Sequence, residues 1–512
     1  MTDNQNILPG VDSMQVKNPL IWADFPDPDI IRVKDTYYMV STTMFVMPGG
    51  PVLRSKDLCH WELVSYIFDT IEDNHIYRME NGSNAYGKGQ WATSLLYHQG
   101  MYYACFTCHD MKKTYIYYTD DVENSGWNRH VLDGSYHDMS FLVDEGRAYL
   151  IYGNGDIHIV RLDEELSGIK AGETDRLLFS TPSKSIKLRC EGCRAYKING
   201  WYYLLFIEWP EDGNGRRRVV GYRSKELLGQ YERRILLDDD MGYKNQGVAQ
   251  GALIDTPEGE WYALLFQDHG AVGRIPCLLP VTWEEHWPVM GIDHKVPKTF
   301  ATAFLPYEAG PLVISDSFNH SEDKLDLRWQ WNHNPEKGCW SFTQRPGYLR
   351  LHTRTLAEDL LKARNLLTQR TFGPKCSFSV ELDSRGMKEG DYAGLAAFQS
   401  IYGAVGVKVC KGGAQKLVVS KRDKSGRQKE EESILLENSK VFLKIAFDFT
   451  EDRDIAQFFY SCDGYSWSSC GTELKMEYTL DLFIGYRIAL FNYSEKEAGG
   501  YADFRNFQKL AP

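Results

Sequence analysis

Long apolar runs are missing from this 512-residue chain. No stretch approaches the about 18 uninterrupted apolar residues of a membrane-spanning helix, so no such span is expected. The first residues, MTDNQNILPGVDS, lack a basic start and an apolar run, and no secretory signal is expected there. Basic excess is missing too. With 58 Lys and Arg against 70 Asp and Glu the formal charge is −12, which argues against nucleic acid or an anionic membrane as partner. The 11 cysteines are odd in number and follow no framework spacing, and they read as reduced thiols of a cytoplasmic protein. The sequons at Asn81, Asn319 and Asn492 then carry no meaning. Helical periodicity is nearly absent, and its best candidate, residues 224–228, is too short to be more than a turn.

Several chemistries are excluded in the same way. No Walker loop, HExxH helix or GxSxG elbow occurs, so phosphoryl transfer, metalloprotease and serine hydrolase readings lack support. Cys105-x-x-Cys108 and Cys190-x-x-Cys193 have the spacing of zinc ligands. Both sit in or beside predicted strands, where residues three apart face opposite sides, and neither has the glycine-rich turn of a zinc knuckle.

What is present is a repeat. In residues 18–41, NPLIWADFPDPDIIRVKDTYYMVS, an acidic tag stiffened by two prolines leads into a β-branched run, a Lys34-Asp35 turn and an aromatic strand. Asp27 stands 11 residues before Tyr38. The same 11-residue interval joins Trp91 to Tyr102, Asp138 to Tyr149, Glu191 to Tyr202 and Gln250 to Trp261. Each copy reads as tag, strand, tight polar turn and aromatic strand, with turns at Gln99-Gly100, Glu145-Gly146, Asn199-Gly200 and Glu258-Gly259. Such dipeptides between β runs are a strong hairpin signal. Five copies spaced about 50 to 65 residues apart predict a five-bladed β-propeller. In equivalent blades the five tags would converge on one central point.

Three of those tags are carboxylic acids. Singly, Asp27 reads as a turn residue, Asp138 as a strand-end cap and Glu191 as a surface carboxylate. Sharing one register, they suit glycoside hydrolysis, in which one acid protonates the leaving oxygen while another activates water or attacks carbon. A third negative charge would raise the proton affinity of the acid.

The stretches ADFPDPDI, WATSLLYHQGMYY, HDMSFLVDEGRAYL, CEGCRAYKINGWYYL and GEWYALLFQDHGAVGRIPCLLPVTW resemble glycoside hydrolase family 43, a group of five-bladed propellers. SDSFN, LRWQWNHNPEKGCWSF and RPGYLRL resemble the β-sandwich appended to its β-xylosidase and α-L-arabinofuranosidase branch. The likeness covers nearly the whole chain. It implies an inverting mechanism with Asp27 as general base, Glu191 as general acid and Asp138 tuning the acid and orienting substrate. It also implies Trp91 as a flat wall under the sugar and Arg274 as a fork to sugar hydroxyls or a carboxylate, with blade packing and a structural ion pair as the respective alternatives. Phe483, in LFIGY, would reach over the propeller mouth. His137 and His269 neighbour pocket residues in sequence, as hydrogen-bond partners of the site or as satisfied structural histidines. Many family members place at the fifth tag a histidine facing an axial calcium or water, where this chain has Gln250. An amide oxygen can touch calcium, but such sites usually include carboxylates. No cofactor is required, and a calcium ion on the axis is left open.

The expected organisation is a catalytic propeller over 16–305 and a concanavalin-like antiparallel β-sandwich over 312–512, after a leader of about 15 residues. A linker is expected near 295–310, and loops at Gly49-Gly50-Pro51 and 80–84. Sandwich strands are expected at 375–382, 394–398, 440–449 and 456–460, with a solvated hairpin tip at 421–432. The sandwich would close one side of the pocket, or be purely structural or oligomer-forming. The function expected is exo-acting release of terminal xylose or arabinofuranose from plant oligosaccharides in the cytoplasm, by a monomer or a homo-oligomer. The rivals are a non-catalytic carbohydrate-binding propeller and an endo-arabinanase or galactanase of the same fold.

Overall fold

The tight two-residue turns dictate the architecture. Gln99 and Gly100 have φ of 50° and 86°, and Asn199 and Gly200 have 50° and 75°. Two consecutive left-handed residues make the hairpin turn whose twist matches that of its strands. A computed structural model describes residues 14–124, 126–451 and 453–511. It shows five four-stranded antiparallel sheets in chain order, whose inner strands are Asp29–Val33, Thr93–His98, Ser140–Asp144, Ile186–Ile198 and Ala249–Asp255. Each inner strand neighbours the next, and the fifth returns to the first, which closes a five-bladed propeller. The outer edges are Glu62–Phe68, Asn128–Asp133, Arg176–Ser180, Glu232–Leu237 and Trp287–Met290. Among the described residues the only helical turns are three of three residues each, and no helix is long and apolar enough to cross a membrane.

The expected leader falls outside the described residues up to 13. Its end is a strand: Met14–Lys17 pairs with Thr299–Thr302 and joins the two ends of the propeller. The expected linker at 295–310 therefore contains a strand, and the residues after that strand are held against blade one. Tyr307 donates its N–H to Asp57 at 2.8 Å and its hydroxyl to Glu62. Gly49-Gly50-Pro51 is not a loop but opens the buried strand Gly49–Ser55. Close packing explains these glycines: a Cβ on Gly49 would strike the Phe68 ring, and one on Gly50 would strike Ile67. Residues 80–84 do form a loop. It lies toward the sandwich, where Ala85 donates its N–H to His333 Nε2 at 2.9 Å.

Two eight-stranded antiparallel sheets make the sandwich. The strands Lys375–Asp383, Asp391–Phe398, Lys440–Asp448 and Ile455–Ser461 coincide with those expected. Residues 421–432 belong to the hairpin of Gln415–Arg422 and Gln428–Leu435. Sandwich and propeller are fused at two levels. Val46–Met47, from blade one, pairs with Gln330–Asn332 and forms the edge of a sandwich sheet. One apolar cluster also combines Val40, Phe68 and Phe106 of the blades with Leu482, Ala489 and Phe491 of the sandwich. Burial of apolar surface, at about 25 cal/mol per Å², therefore ties the second unit to the first.

Candidate active site

All five tags meet. Asp27, Trp91, Asp138, Glu191 and Gln250 line one pocket at the starts of the five inner strands. Their backbones share a further feature: Asp27, Asp138 and Gln250 have left-handed φ of 52°, 47° and 58°. Side chains rarely adopt that region, and where they do the strain often marks a functional position. Blade four differs. Its inner strand, Ile186–Ile198, begins ahead of the tag rather than at it, with shifts in register on both sides of Glu191, and Gly192 takes the left-handed φ of 69°. Such bulges re-aim a side chain. A Cβ on Gly192 would strike the Gln250 side chain, so the fourth and fifth tags pack directly together.

The three aspartates of the first tag diverge. Asp24 accepts N–H bonds from Arg274 at 2.8 Å and from Gly485 at 2.9 Å. It thereby fixes both the start of a blade-five strand and the sandwich loop that carries Phe483. Asp27 turns into the pocket and takes the Arg274 guanidinium, whose Nη1 lies 3.0 and 3.1 Å from its two oxygens. Burial works against the charge on Arg274, but Asp27, Tyr478 and Asp24 outweigh it and raise its proton affinity. Arg274 therefore makes an ion pair with Asp27 through a single nitrogen. Asp29 points to the axis.

On that axis lies Arg194, 1% exposed. Its guanidinium donates to the carbonyls of Cys193 at 2.7 Å, Thr93 at 3.2 Å and Asp27 at 3.3 Å, drawn from three blades. Its Nε is 3.1 Å from Asp29, whose carboxylate also accepts N–H bonds from Ile30 and Leu95. The carbonyl oxygens and carboxylate that a calcium ion would use are thus turned onto a guanidinium. These residues do not suit an axial metal.

The acids are embedded in a polar cluster. Burial, offset by His137 and reinforced by Glu191 and Asp27, raises the Asp138 carboxyl to about 6. Glu191 Oε2 lies 3.1 Å from His137 Nε2 and 2.5 Å from Asn154 Nδ2. His137 Nδ1 lies 2.9 Å from His109 Nε2. Both ring nitrogens of His137 are therefore engaged, so the structure sets it behind Glu191 rather than free for a sugar. Trp91 stands edge-to-face on His109 at 5.1 Å and faces Phe483 at 5.8 Å. Phe483, with φ of 58°, lies beneath the Arg274 guanidinium at 4.3 Å and forms the sandwich's share of the wall. His269 is away from the pocket, stacked on Tyr243 at 3.7 Å.

Sequence reasoning missed Arg217, Asn154 and His109. Arg217 lines the pocket, pairs with Asp268 and sits over Trp209 at 4.9 Å. Burial, then neighbouring Arg274, lowers its proton affinity. The run Arg216-Arg217-Arg218 was a signal, but only the fold separates its members, since Arg216 and Arg217 lie in the approach to the strand Arg218–Ser224. Arg216 pairs with Asp238 and Arg218 with Glu208. The cysteines of both CxxC pairs are buried free thiols within the blades.

Residues 16–288 match the model of glycosyl hydrolases family 43, and 315–509 match that of the beta xylosidase C-terminal concanavalin A-like domain. A beta-xylosidase of Formosa agariphila is 28% identical, over 95% of this chain and 88% of its own. A non-reducing end alpha-L-arabinofuranosidase of Bacteroides ovatus is 30% identical, over 65% of this chain and 64% of its own. The structure of a bifunctional GH43-CE protein of Bacteroides eggerthii superposes with a TM-score of 0.92 at 43% identity, over 98% of this chain. This chain spans 64% of that longer one. With a propeller whose five tags gather three carboxylates, and both parts matched, the chain belongs to glycosyl hydrolase family 43, a family of inverting glycosidases.

Proposed function

We propose that the chain removes a terminal xylosyl or arabinofuranosyl unit from plant-derived oligosaccharides, with Asp27 as general base, Glu191 as general acid and Asp138 as the charge that supports the acid. The observation that carries this reading is the convergence of the three carboxylates, one each from blades one, three and four, on a single pocket. Their surroundings fit the division of labour. Asp27 is paired with the buried Arg274 guanidinium, whose Nη1 lies 3.0 Å from its carboxylate. Glu191 keeps one oxygen, Oε1, clear of the donors that hold Oε2. A protonated carboxyl can give that proton to a departing oxygen as its bond to the sugar breaks, while Asp27 takes one from the attacking water.

Exo action is favoured by the Phe483–Trp91 contact, which closes one side of the pocket where an endo-acting enzyme needs an open groove. Xylose and arabinofuranose present similar hydroxyls at the reactive end, and the relatives' names include both activities. Hydrolysis of the aryl β-xyloside and the aryl α-arabinofuranoside, measured side by side with the anomer of the first-formed sugar read by NMR, tests the reading. Release of one or both sugars with inversion is expected. Inertness toward both, or retention, would overturn it.

Arg194 supplies the axial cation in this proposal, so activity should survive exhaustive chelation. A large loss restored by added calcium would count against that arrangement.

A further inference from the structure

His137 precedes Asp138, and its ring is held at both nitrogens. Nε2 reaches Glu191 Oε2 at 3.1 Å and lies 3.7 Å from Asp138 Oδ2. Nδ1 meets His109 Nε2 at 2.9 Å. Carboxylate oxygen accepts at Nε2 and His109 Nε2 can accept at Nδ1, so both contacts admit an imidazolium. His109 can accept because burial, reinforced by His137, holds its own proton affinity down to about 4, so it is neutral. At His137 burial opposes charge, but Asp138 and the hydrogen bond to Glu191 outweigh it and raise its proton affinity to about 9. The charged and titratable groups around this ring come from every neighbouring blade. They are His109 with Asp110 from blade two, Asp138 from blade three and Glu191 from blade four, with Asp27 and Arg194 acting on Asp138 from beyond. Trp91 covers the open face of the pair.

Charge at the acid is therefore contested. His137 Nε2 stands between the two carboxyls, 3.1 Å from Glu191 Oε2 and 3.7 Å from Asp138 Oδ2. We propose that His137, carried as an imidazolium on His109, is the counter-charge that opposes Asp138 at Glu191 and sets the pH at which the acid loses its proton. It is a positioning residue. With Asn154 Nδ2 at 2.5 Å it saturates Oε2, so the transferable proton sits on Oε1. The inference rests on the assignment of Glu191 as the acid.

The test is the pH dependence of kcat/KM on xylobiose and on α-1,5-arabinobiose, whose poor leaving groups need the acid. Gln at position 137 can still donate to Oε2 but carries no charge. His137→Gln should move the basic limb upward by about one pH unit, and Asp138→Asn should move it downward by about as much. The double variant should return close to the wild type. A limb unmoved or lowered by His137→Gln would overturn the proposal, since a merely structural hydrogen bond leaves it in place. A second measurement does not depend on any variant's activity. Imidazole ¹⁵N spectra of the wild type at pH 7.5 should show both His137 nitrogens protonated, and a neutral ring would overturn the proposal equally. Should Glu191 not be the acid, Glu191→Ala would lose activity alike on good and poor leaving groups, while the spectra would still report the charge of His137.

Discussion

Glu191→Ala is expected to lower turnover of oligosaccharides by ~10²–10⁴-fold, the usual contribution of a general acid. The same variant should keep far more activity on aryl glycosides, because a phenolate of low basicity departs without a proton. Asp27→Ala should instead fall on both substrate classes together, since every turnover needs the attacking water activated. Removing Asp27 also strips Arg274 of its 3.0 Å partner and leaves a buried guanidinium facing the pocket. Added azide, small and already anionic, can attack in place of water and should restore part of the Asp27→Ala activity. The measurement is kcat/KM on paired substrates with good and poor leaving groups. The role assignment is falsified if Asp27→Ala discriminates between leaving groups and Glu191→Ala does not.

Arg194→Met should be the most destabilising single change. Arg194 and Asp29 are both almost wholly buried, and removing one partner of a buried pair costs ~3–5 kcal/mol because the other charge stays behind. Three carbonyls from three blades lose their donor at the same time. One of them belongs to Asp27, so the position of the base should suffer along with the fold. Denaturant midpoints of the wild type, Arg194→Met and the pair Arg194→Met with Asp29→Asn would measure this. The pair should recover part of the loss, because an amide leaves no uncompensated charge. An unchanged midpoint for Arg194→Met would show that the axis does not depend on its guanidinium.

The relation of sequence to structure is clearest in the first tag. Its three aspartates alternate with Phe25, Pro26 and Pro28 and are chemically equivalent on paper. In the folded chain Asp24 anchors the Phe483 loop, Asp27 enters the pocket and Asp29 pairs on the axis. Propensity cannot separate them, because each role is defined by a partner about 165 to 460 residues away. His137 illustrates the same limit. A histidine beside Asp138 can be read as a site neighbour, but its charge depends on His109 and Glu191, which lie on two other blades.

By itself the sequence determined the repeat. The 11-residue interval, the turn dipeptides and the aromatic strands are local, and they arise from the alternation of side chains across a strand and the twist of a two-residue hairpin. Local signals repeated five times in one register are sufficient to define a propeller and to bring five tags to one point. Only the tertiary structure decided which charges face each other there: Arg217 rather than Arg216 or Arg218 at the pocket, Arg194 on the axis, and the sandwich edge built on Val46–Met47 of blade one. The reason is physical. Strand identity arises from contacts between neighbours along the chain, whereas the electrostatics of a buried site arises from ring closure, which sets residues from different blades a few ångströms apart where little water remains to screen them.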